Sequence, residues 1–242
     1  MTDLTISAVR GLPELREGDD LAQLIVERVE LEDGDVLVVA QKAVSKIEGR
    51  VVRLDETEPS ARARELAGDG DPRRIEAVLR EAKRIVRTRG SLVIAETSHG
   101  FICASAGVDA SNAPEPGTLV LLPEDPDASA ARLRARVHEL TGRDVGVVVS
   151  DSFGRPWRQG TTDVAIGASG VEVLRDLKGE RDPTGYELKS TVIAVADEIA
   201  GATELVMGKL DRVPVAIVGG LDARGDGTAR ELVMPADRNL FT

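Results

Sequence analysis

Aromatic residues make up only 2% of this 242-residue chain. So few rings exclude the repeated stacking platforms with which many proteins bind single-stranded nucleic acid. Because apolar residues still account for 42% of the sequence, the core must be built from valine, leucine, isoleucine and alanine. This length and apolar content predict one large domain, or two small lobes, with a sizeable core.

Thiols and imidazoles are almost as scarce as aromatic rings. The chain contains one cysteine, Cys103, and two histidines, His99 and His138. A single cysteine excludes an internal disulfide, and a His-rich or Cys-rich metal centre cannot be built. A bound metal would need oxygen ligands, which suits Mg²⁺ or Mn²⁺. Cys103 lies in an apolar stretch, so we expect a buried thiol rather than a nucleophile.

Positively charged residues are fewer than negatively charged ones. The chain has 31 lysines and arginines against 42 aspartates and glutamates, which gives a net charge of −11. An acidic surface repels phosphate backbones, so we expect no nucleic-acid partner. No apolar run approaches 18 residues, and the N-terminus lacks a basic segment followed by an apolar one, so neither a membrane span nor a signal peptide is expected. A cytoplasmic protein is predicted, in which an anionic substrate needs metal ions or a local basic cluster.

Short β-branched runs alternate with helical patterns along the chain. Apolar residues recur at helical spacing in four segments, which predicts helices over residues 20–29, 72–88, 129–140 and 197–205. Strands are predicted at seven runs: LTISAVRGL, DVLVVAQKAV, SLVIAET, TLVLLP, VGVVVSD, STVIAVA and VPVAIVGG. This alternation favours an α/β or α+β fold with flanking helices.

Two phosphate-binding folds are not expected. The sequence contains neither GxGxxG nor GxxxxGK[ST], so neither a Rossmann site nor a P-loop is supported. We treat residues 1–242 as a single domain, and its lobes would meet near residues 123–129 and 178–187. Both of these stretches could equally be ordinary surface loops.

The strongest chemical signal follows the apolar run at residues 145–149. Asp151 and Ser152 end that run, and Arg155 and Arg158 follow in a turn rich in glycine. Ligands of open α/β sheets bind just outside the carboxyl ends of strands. There a carboxylate beside a hydroxyl can hold Mg²⁺ on phosphate oxygens, and arginines can bind phosphate or carboxylate. The alternative is a polar turn with surface arginines.

Two further segments carry candidate polar groups. In CASAGVDASN, Asp109 can supply a second carboxylate to a metal held by Asp151, or it can belong to an Asx turn. In VVAQKAVSKIEGR, a strand leads to Lys42 and Lys46, whose ammonium groups suit a nucleotide phosphate. A solvated basic helix start is the alternative reading of that segment.

Taken together and in order, six stretches resemble the coenzyme F420-0:L-glutamate ligase family, also called F420:γ-glutamyl ligase. They are GLPE..EGDDL, DGDVLVVAQK.VSK.EGR, AGVDASN, DPD.SA, VGVVVSDSFGR.WR.G.TD.AIG and VADEIA...ELVMGK. The combination is specific although each piece alone is not. The likeness is judged closest to the bacterial type. Some bacterial chains continue into a nitroreductase-like domain, but here we expect the ligase domain only.

The resemblance implies a GTP-dependent, GDP-forming ligase of coenzyme F420 biosynthesis. Such an enzyme joins L-glutamate by an amide bond to the lactyl carboxylate of F420-0 and then adds further γ-linked glutamates. An acyl phosphate is the implied intermediate, and the implied ions are one or two Mg²⁺ or Mn²⁺, with K⁺ as a further candidate. The family also implies a homodimer of two-lobed α/β subunits with the nucleotide in a cleft.

The same resemblance assigns roles to residues of this chain. Nucleotide contacts fall on Leu12, Pro13, Glu14, Leu15, Gln41, Lys46, Asn112, Met207, Gly208 and Lys209. Asp109 and Asp151 become ligands of the first metal and, with Arg155, candidate catalytic residues. Ser152 becomes a ligand of a second metal.

Three positions depart from the family pattern. Gln41 stands where relatives often have serine, and Ser152 stands where they usually have threonine, so that its hydroxyl is kept. Archaeal relatives carry an acidic residue at the position of Lys209. Because a protonated lysine cannot bind a metal, we expect a weaker second metal site here.

Two other functions suit the same residues. A nucleotide-dependent kinase or phosphohydrolase could use the same two aspartates, and it would release nucleoside diphosphate without a glutamate acceptor. A non-catalytic deazaflavin-binding protein would bind the coenzyme and turn over no GTP.

Overall fold

The computed structural model describes residues 3–240. The strands of this range are β1 (Thr5–Ala8), β2 (Val36–Ala40), β3 (Val51–Arg53), β4 (Ala82–Arg89), β5 (Leu92–Thr97), β6 (Ile102–Ala104), β7 (Thr118–Val120), β8 (Gly146–Gly154), β9 (Thr161–Ser169), β10 (Arg175–Asp176), β11 (Val192–Ile193) and β12 (Val215–Gly219). The α-helices are α1 (Leu21–Val26), α2 (Gln41–Ile47), α3 (Ala61–Ala67), α4 (Pro72–Glu81), α5 (Pro126–Thr141) and α6 (Val195–Met207). None of these helices is long and apolar enough to cross a bilayer.

A five-stranded sheet with the order β1-β12-β2-β8-β9 forms the centre of the protein. The β2–β8 pair is parallel and the other pairs are antiparallel, so the sheet is mixed. Successive valines of β2 and β8 point to opposite faces, because side chains alternate along a strand. One face therefore packs with α1 and α5, and the other packs with α6. The mixed α and β architecture agrees with the class predicted from sequence.

A third apolar cluster lies apart from the central sheet and is drawn entirely from residues 52–121. It packs α3 and α4 against the three-stranded sheet β4-β5-β6 and the β3–β7 pair. This segment leaves the central sheet after α2 and returns to it before α5. The placement of lobe boundaries near residues 123–129 and 178–187 stays a prediction.

Several element boundaries differ from those predicted. Residues 82–88 are not helical, because α4 ends at Glu81 and β4 pairs with β5 across Gly90, whose φ is +57°. Helix α5 begins at Pro126 rather than Ser129, since the Asp125 side chain accepts from the Ala128 N–H and proline suits the first helical position. Of the run STVIAVA, only Val192–Ile193 form a strand, the short β11, and α6 begins at Val195. Strand β9 and helix α3 were not predicted.

Gly167 of β9 lies directly against the start of α5. A Cβ placed on Gly167 would lie 2.3 Å from the carbonyl oxygen of Pro126, at the start of α5. We expect Gly167→Ala to lower the free energy of unfolding by about 3 kcal/mol, because overpacking against backbone cannot relax by a rotamer change. This corresponds to a decrease in Tm of roughly 6–12 °C for a domain of this size.

Gly154 is the matched control, since a Cβ there would meet nothing within 4 Å. Gly154→Ala should stay within about 0.5 kcal/mol of the unmodified protein. Thermal unfolding followed by circular dichroism measures both variants. Equal Tm values for the two would contradict the tight α5–β9 contact.

Candidate active site

A cleft of about 480 Å³ opens beside the ends of β2 and β8. Most of the residues to which the resemblance assigned roles line it, namely Leu12, Pro13, Glu14, Leu15, Gln41, Lys46, Asn112, Asp151, Ser152, Met207, Gly208 and Lys209. These residues are far apart in sequence. The parallel β2–β8 pair brings two of the segments together at the carboxyl-terminal ends of the two strands. In open α/β sheets, ligand sites lie just outside these carboxyl-terminal strand ends.

Helix α2 begins directly where β2 ends, and it presents Lys42 and Lys46 to the cleft. Gln41, the first residue of α2, is buried, and its amide donates to Ser45 Oγ at 2.6 Å and to the Leu121 carbonyl at 2.7 Å. The Gln41 amide nitrogen therefore holds α2 against the chain around residue 121. A nucleotide contact through this side chain stays a prediction, and only its carbonyl oxygen is without such a bond.

Asp109 is held by Lys42, which the sequence suggested only as a candidate for binding a nucleotide phosphate. Lys42 Nζ lies 2.6 Å from Asp109 Oδ2, and the Ser111 N–H and hydroxyl both donate to the same carboxylate. Burial by itself would raise the pKa of Asp109, but the bonds from Lys42 and Ser111 outweigh it and lower the pKa to about 2. Asp109 is therefore an ionised group whose charge is already balanced.

Asp151 has the opposite electrostatic environment. Burial raises the pKa of Asp151 to about 7, and repulsion from Asp163 and Asp109 adds to that effect. Within residues 3–240, no lysine or arginine nitrogen lies within 4.0 Å of its carboxylate. Its charge is therefore poorly compensated in the ligand-free protein, which is the condition that favours binding of a cation.

Asp163 of β9 lies directly across the sheet from Ser152 and was missed by the sequence analysis as a site residue. Its side chain is 5% exposed and lines the cleft, and it accepts from Ser152 Oγ at 2.6 Å and from Ser150 Oγ at 3.1 Å. Both hydroxyl protons point to Asp163, so the oxygen lone pairs of Ser152 remain for a ligand. Only the register of the β8–β9 hairpin could have revealed this pairing.

The nucleotide-contact candidates are joined by two polar contacts. Lys46, in the last turn of α2, forms a short ion pair with Glu14, and the Asn112 amide donates to the Lys209 carbonyl at 3.3 Å. Lys209 Nζ lies 3.9 Å from Asp109 Oδ2. This contact brings a second ammonium group close to Asp109, and the weaker second metal site expected at Lys209 stays a prediction.

Two predicted residues lie outside the set that lines the cleft. Asp109 does not line the cleft but contacts two residues that do, Lys42 and Lys209. Arg155 is exposed beyond the end of β8, and its guanidinium donates to the Gln159 carbonyl at 2.8 Å. Cys103 is buried as predicted, and burial raises the pKa of its thiol to about 12, with a smaller contribution from Asp151.

Glu204 of α6 also lines the cleft and was not predicted as a site residue. Burial raises its pKa, and repulsion from Asp163 acts in the same direction, while Lys209 lowers it. Glu204 lies in the stretch VADEIA...ELVMGK that carries the family resemblance, but no role was assigned to it there.

The donor set fits a hard divalent cation in chemistry, since it consists of carboxylate and hydroxyl oxygens. Asp151 and Ser152 can each provide a ligand oxygen for such an ion. Asp109 can do so only by giving up or sharing its bond with Lys42. Across residues 3–240, no three acidic, histidine or cysteine side chains lie close enough to form a metal-binding group by themselves.

Comparison with known proteins identifies the family. The family model described as F420-0:Gamma-glutamyl ligase matches residues 11–220. The chain belongs to this family. It is 50% identical over 236 residues to the coenzyme F420:L-glutamate ligase of Methanopyrus kandleri, covering 94% of this chain and 93% of that protein.

Two further members of the F420-0:gamma-glutamyl ligase family give the same result. The coenzyme F420:L-glutamate ligase of Archaeoglobus fulgidus is 47% identical, covering 96% of this chain and 94% of its own. That of Methanothermobacter thermautotrophicus is 41% identical, with 98% of each chain covered. These relatives are archaeal, so they give no support to the predicted closeness to the bacterial type.

Proposed function

We propose that this protein is a coenzyme F420-0:L-glutamate ligase that consumes GTP and requires Mg²⁺ or Mn²⁺. The observation that carries the proposal is the meeting of Lys46, Asn112, Asp151 and Ser152 in one cleft of a chain that belongs to this family. Cations for nucleotide phosphates and oxygen donors for a metal thus occur together in an otherwise acidic protein.

The residues of the cleft divide into two groups. Lys46 and the loop around Lys209 supply positive charge on one side, where a triphosphate would be bound by charge-assisted hydrogen bonds. Asp151 and Ser152 supply oxygens near the end of β8, and the Ser152 hydroxyl is oriented by its hydrogen bond to Asp163. A divalent ion held there would neutralise charge on the transferred phosphoryl group.

In the proposed reaction the γ-phosphoryl group of GTP passes to the carboxylate of F420-0, with release of GDP. The amine of L-glutamate then attacks the resulting acyl phosphate, a C–N bond forms, and phosphate and a proton leave. The protein contributes mainly by positioning the two substrates and by balancing phosphate charge, as in other phosphoryl transfers. Further γ-linked additions and a homodimeric state belong to the same proposal.

Mass spectrometry tests the proposed function directly. F420-0 incubated with GTP, Mn²⁺, L-glutamate and the protein should gain the mass of one or more glutamyl residues. Omitting glutamate should stop GDP release after at most one equivalent per active site, because the acyl phosphate then has no amine to react with. GDP release that continues without glutamate would instead indicate a phosphohydrolase, and binding of F420-0 without GTP turnover would indicate a carrier.

Lys42 should compete with the metal for Asp109. We expect Lys42→Met to tighten Mn²⁺ binding to the nucleotide-free protein by roughly tenfold or more, because the charge-assisted bond that must be broken is then absent. Paramagnetic resonance of free Mn²⁺ measures this without reference to activity. Lys189→Met, at an exposed lysine without an ion pair among the described residues, is the control. Unchanged or weaker Mn²⁺ binding in Lys42→Met would show that the lysine does not occupy the ion's place.

A further inference from the structure

We propose that the turn at residues 155–160, between β8 and β9, is the docking surface for the acceptor substrate. Trp157 would stack on its planar ring system, and Arg158 would pair with its phosphodiester. This inference rests on the proposed function, because it assigns a second ligand to the same site. None of the residues 155–160 lines the cleft described above.

The position of the turn suits a long acceptor. Asp151 and Ser152 line the cleft, and β8 continues for two further residues before the turn begins. At about 3.3 Å per residue, the turn starts on the order of 10 Å beyond Ser152. An acceptor whose carboxylate reacts in the cleft would therefore extend its remaining part along this hairpin.

Trp157 presents a large apolar surface at this place. It is the only tryptophan of the chain, and it is 81% exposed. Its φ of +57° lies in the left-handed region, which bulky residues rarely adopt and which costs on the order of 1–3 kcal/mol. An exposed indole ring next to a polar cleft is suited to stacking on a flat aromatic ligand.

The charge of the turn complements an anion. Arg155 and Arg158 are both exposed, and within residues 3–240 neither guanidinium has a carboxylate oxygen within 4.0 Å. Many other arginines of this protein form ion pairs with carboxylates, for example Arg50, Arg73 and Arg84. Two guanidinium groups without a carboxylate partner among the described residues, flanking Trp157 in sequence, match a ligand that combines a planar ring with a phosphodiester.

The single tryptophan makes the proposal directly measurable. Titration with F420-0 in the absence of GTP should quench the emission of Trp157 to saturation, whereas GTP alone should not. Trp157→Ala should raise the KM for F420-0 by roughly five- to 150-fold, the range expected for losing one stacked ring. The KM for GTP and the kcat at saturating F420-0 should stay within about twofold.

Arg158→Ala should raise the KM for F420-0 by roughly tenfold or more, for loss of one charge-assisted contact. Trp157→Phe, which keeps an aromatic face, should restore most of the affinity lost in Trp157→Ala. Tyr186→Ala is the control, since it removes another exposed aromatic ring from a different loop. It should leave all three parameters unchanged.

The inference is overturned if Trp157→Ala and Arg158→Ala both keep the KM for F420-0 of the unmodified protein. It is also overturned if GTP quenches Trp157 as strongly as F420-0 does, which would place the guanine ring there. Saturable quenching by F420-0 in a protein that forms no glutamylated product would support the docking surface and refute the proposed ligase activity. The two proposals therefore fail in distinguishable ways.

Discussion

Replacing Asp151 by asparagine should lower ligase turnover by about 100-fold or more and, in the absence of metal, should make the protein more stable above pH 7. The loss of turnover follows because an amide oxygen is a far weaker ligand for a divalent ion than a carboxylate. The gain in stability follows because burial and the charges of Asp163 and Asp109 destabilise the carboxylate, and the Ser152 backbone hydrogen bond and the charge of Lys42 offset only part of this cost. Activity and stability are expected to change in opposite directions.

The predicted gain in stability depends on pH because the pKa of Asp151 differs between the folded and unfolded states. The pKa of Asp151 is raised to about 7 in the folded protein, against about 3.9 in an unfolded chain. Between these values the folded state keeps a proton that the unfolded state has lost. The contribution of Asp151 to stability therefore falls as pH rises from about 4 to about 7, and it is constant above that range.

Urea unfolding of the metal-free proteins between pH 4 and pH 8 measures the effect. The difference in free energy of unfolding between Asp151→Asn and the unmodified protein should grow across this window and then level off. Asp226→Asn, at an exposed carboxylate, serves as the control and should show no such slope. Near-normal turnover of Asp151→Asn at saturating Mn²⁺ would refute the assigned role.

Lys46→Ala should weaken GTP binding by roughly ten- to 150-fold, which corresponds to the loss of one charge-assisted contact. The side chain of Lys46 is only 12% exposed and lies in the cleft, so its ammonium is held close to where phosphates would bind. Glu14, its ion-pair partner, is 62% exposed and would remain as an uncompensated negative charge in the variant. Repulsion of the triphosphate then adds to the lost attraction.

A double-mutant cycle separates these two effects. Glu14→Gln combined with Lys46→Ala should recover part of the lost GTP affinity, because the residual repulsion is removed. Calorimetric titration with GTP measures all four proteins, and Lys189→Ala is the control at an exposed lysine. GTP affinity that is unchanged in Lys46→Ala would mean that the Lys46–Glu14 pair is structural only.

Much of the candidate site was predictable because its residues follow apolar runs that can only be strands. The valine runs before Gln41 and before Asp151 predicted two buried strands, and the polar groups after each strand were proposed as ligand contacts. The structure brings these segments together through the parallel β2–β8 pair. Scarcity of histidine and cysteine likewise restricted any metal site to oxygen ligands before a fold was known.

Contacts between distant segments could not be predicted in this way. The helical spacing of residues 72–88 gave no warning that the chain turns into β4 at Ala82, because hairpin pairing with β5 overrides local propensity there. The start of α5 depends on local residues instead: Asp125 caps the helix and Pro126 occupies its first position.

The sequence by itself determined the fold class, the aliphatic core and the residues that carry charge at the ends of the strands. Only the tertiary structure decided how those charges are balanced. Lys42 neutralises Asp109 across 67 positions of the chain, whereas Asp151 lies near Asp163 and has no lysine or arginine in contact among residues 3–240. The reason is physical: a pKa depends on burial and on neighbours in space, and two identical carboxylates become different groups only when the chain has folded around them.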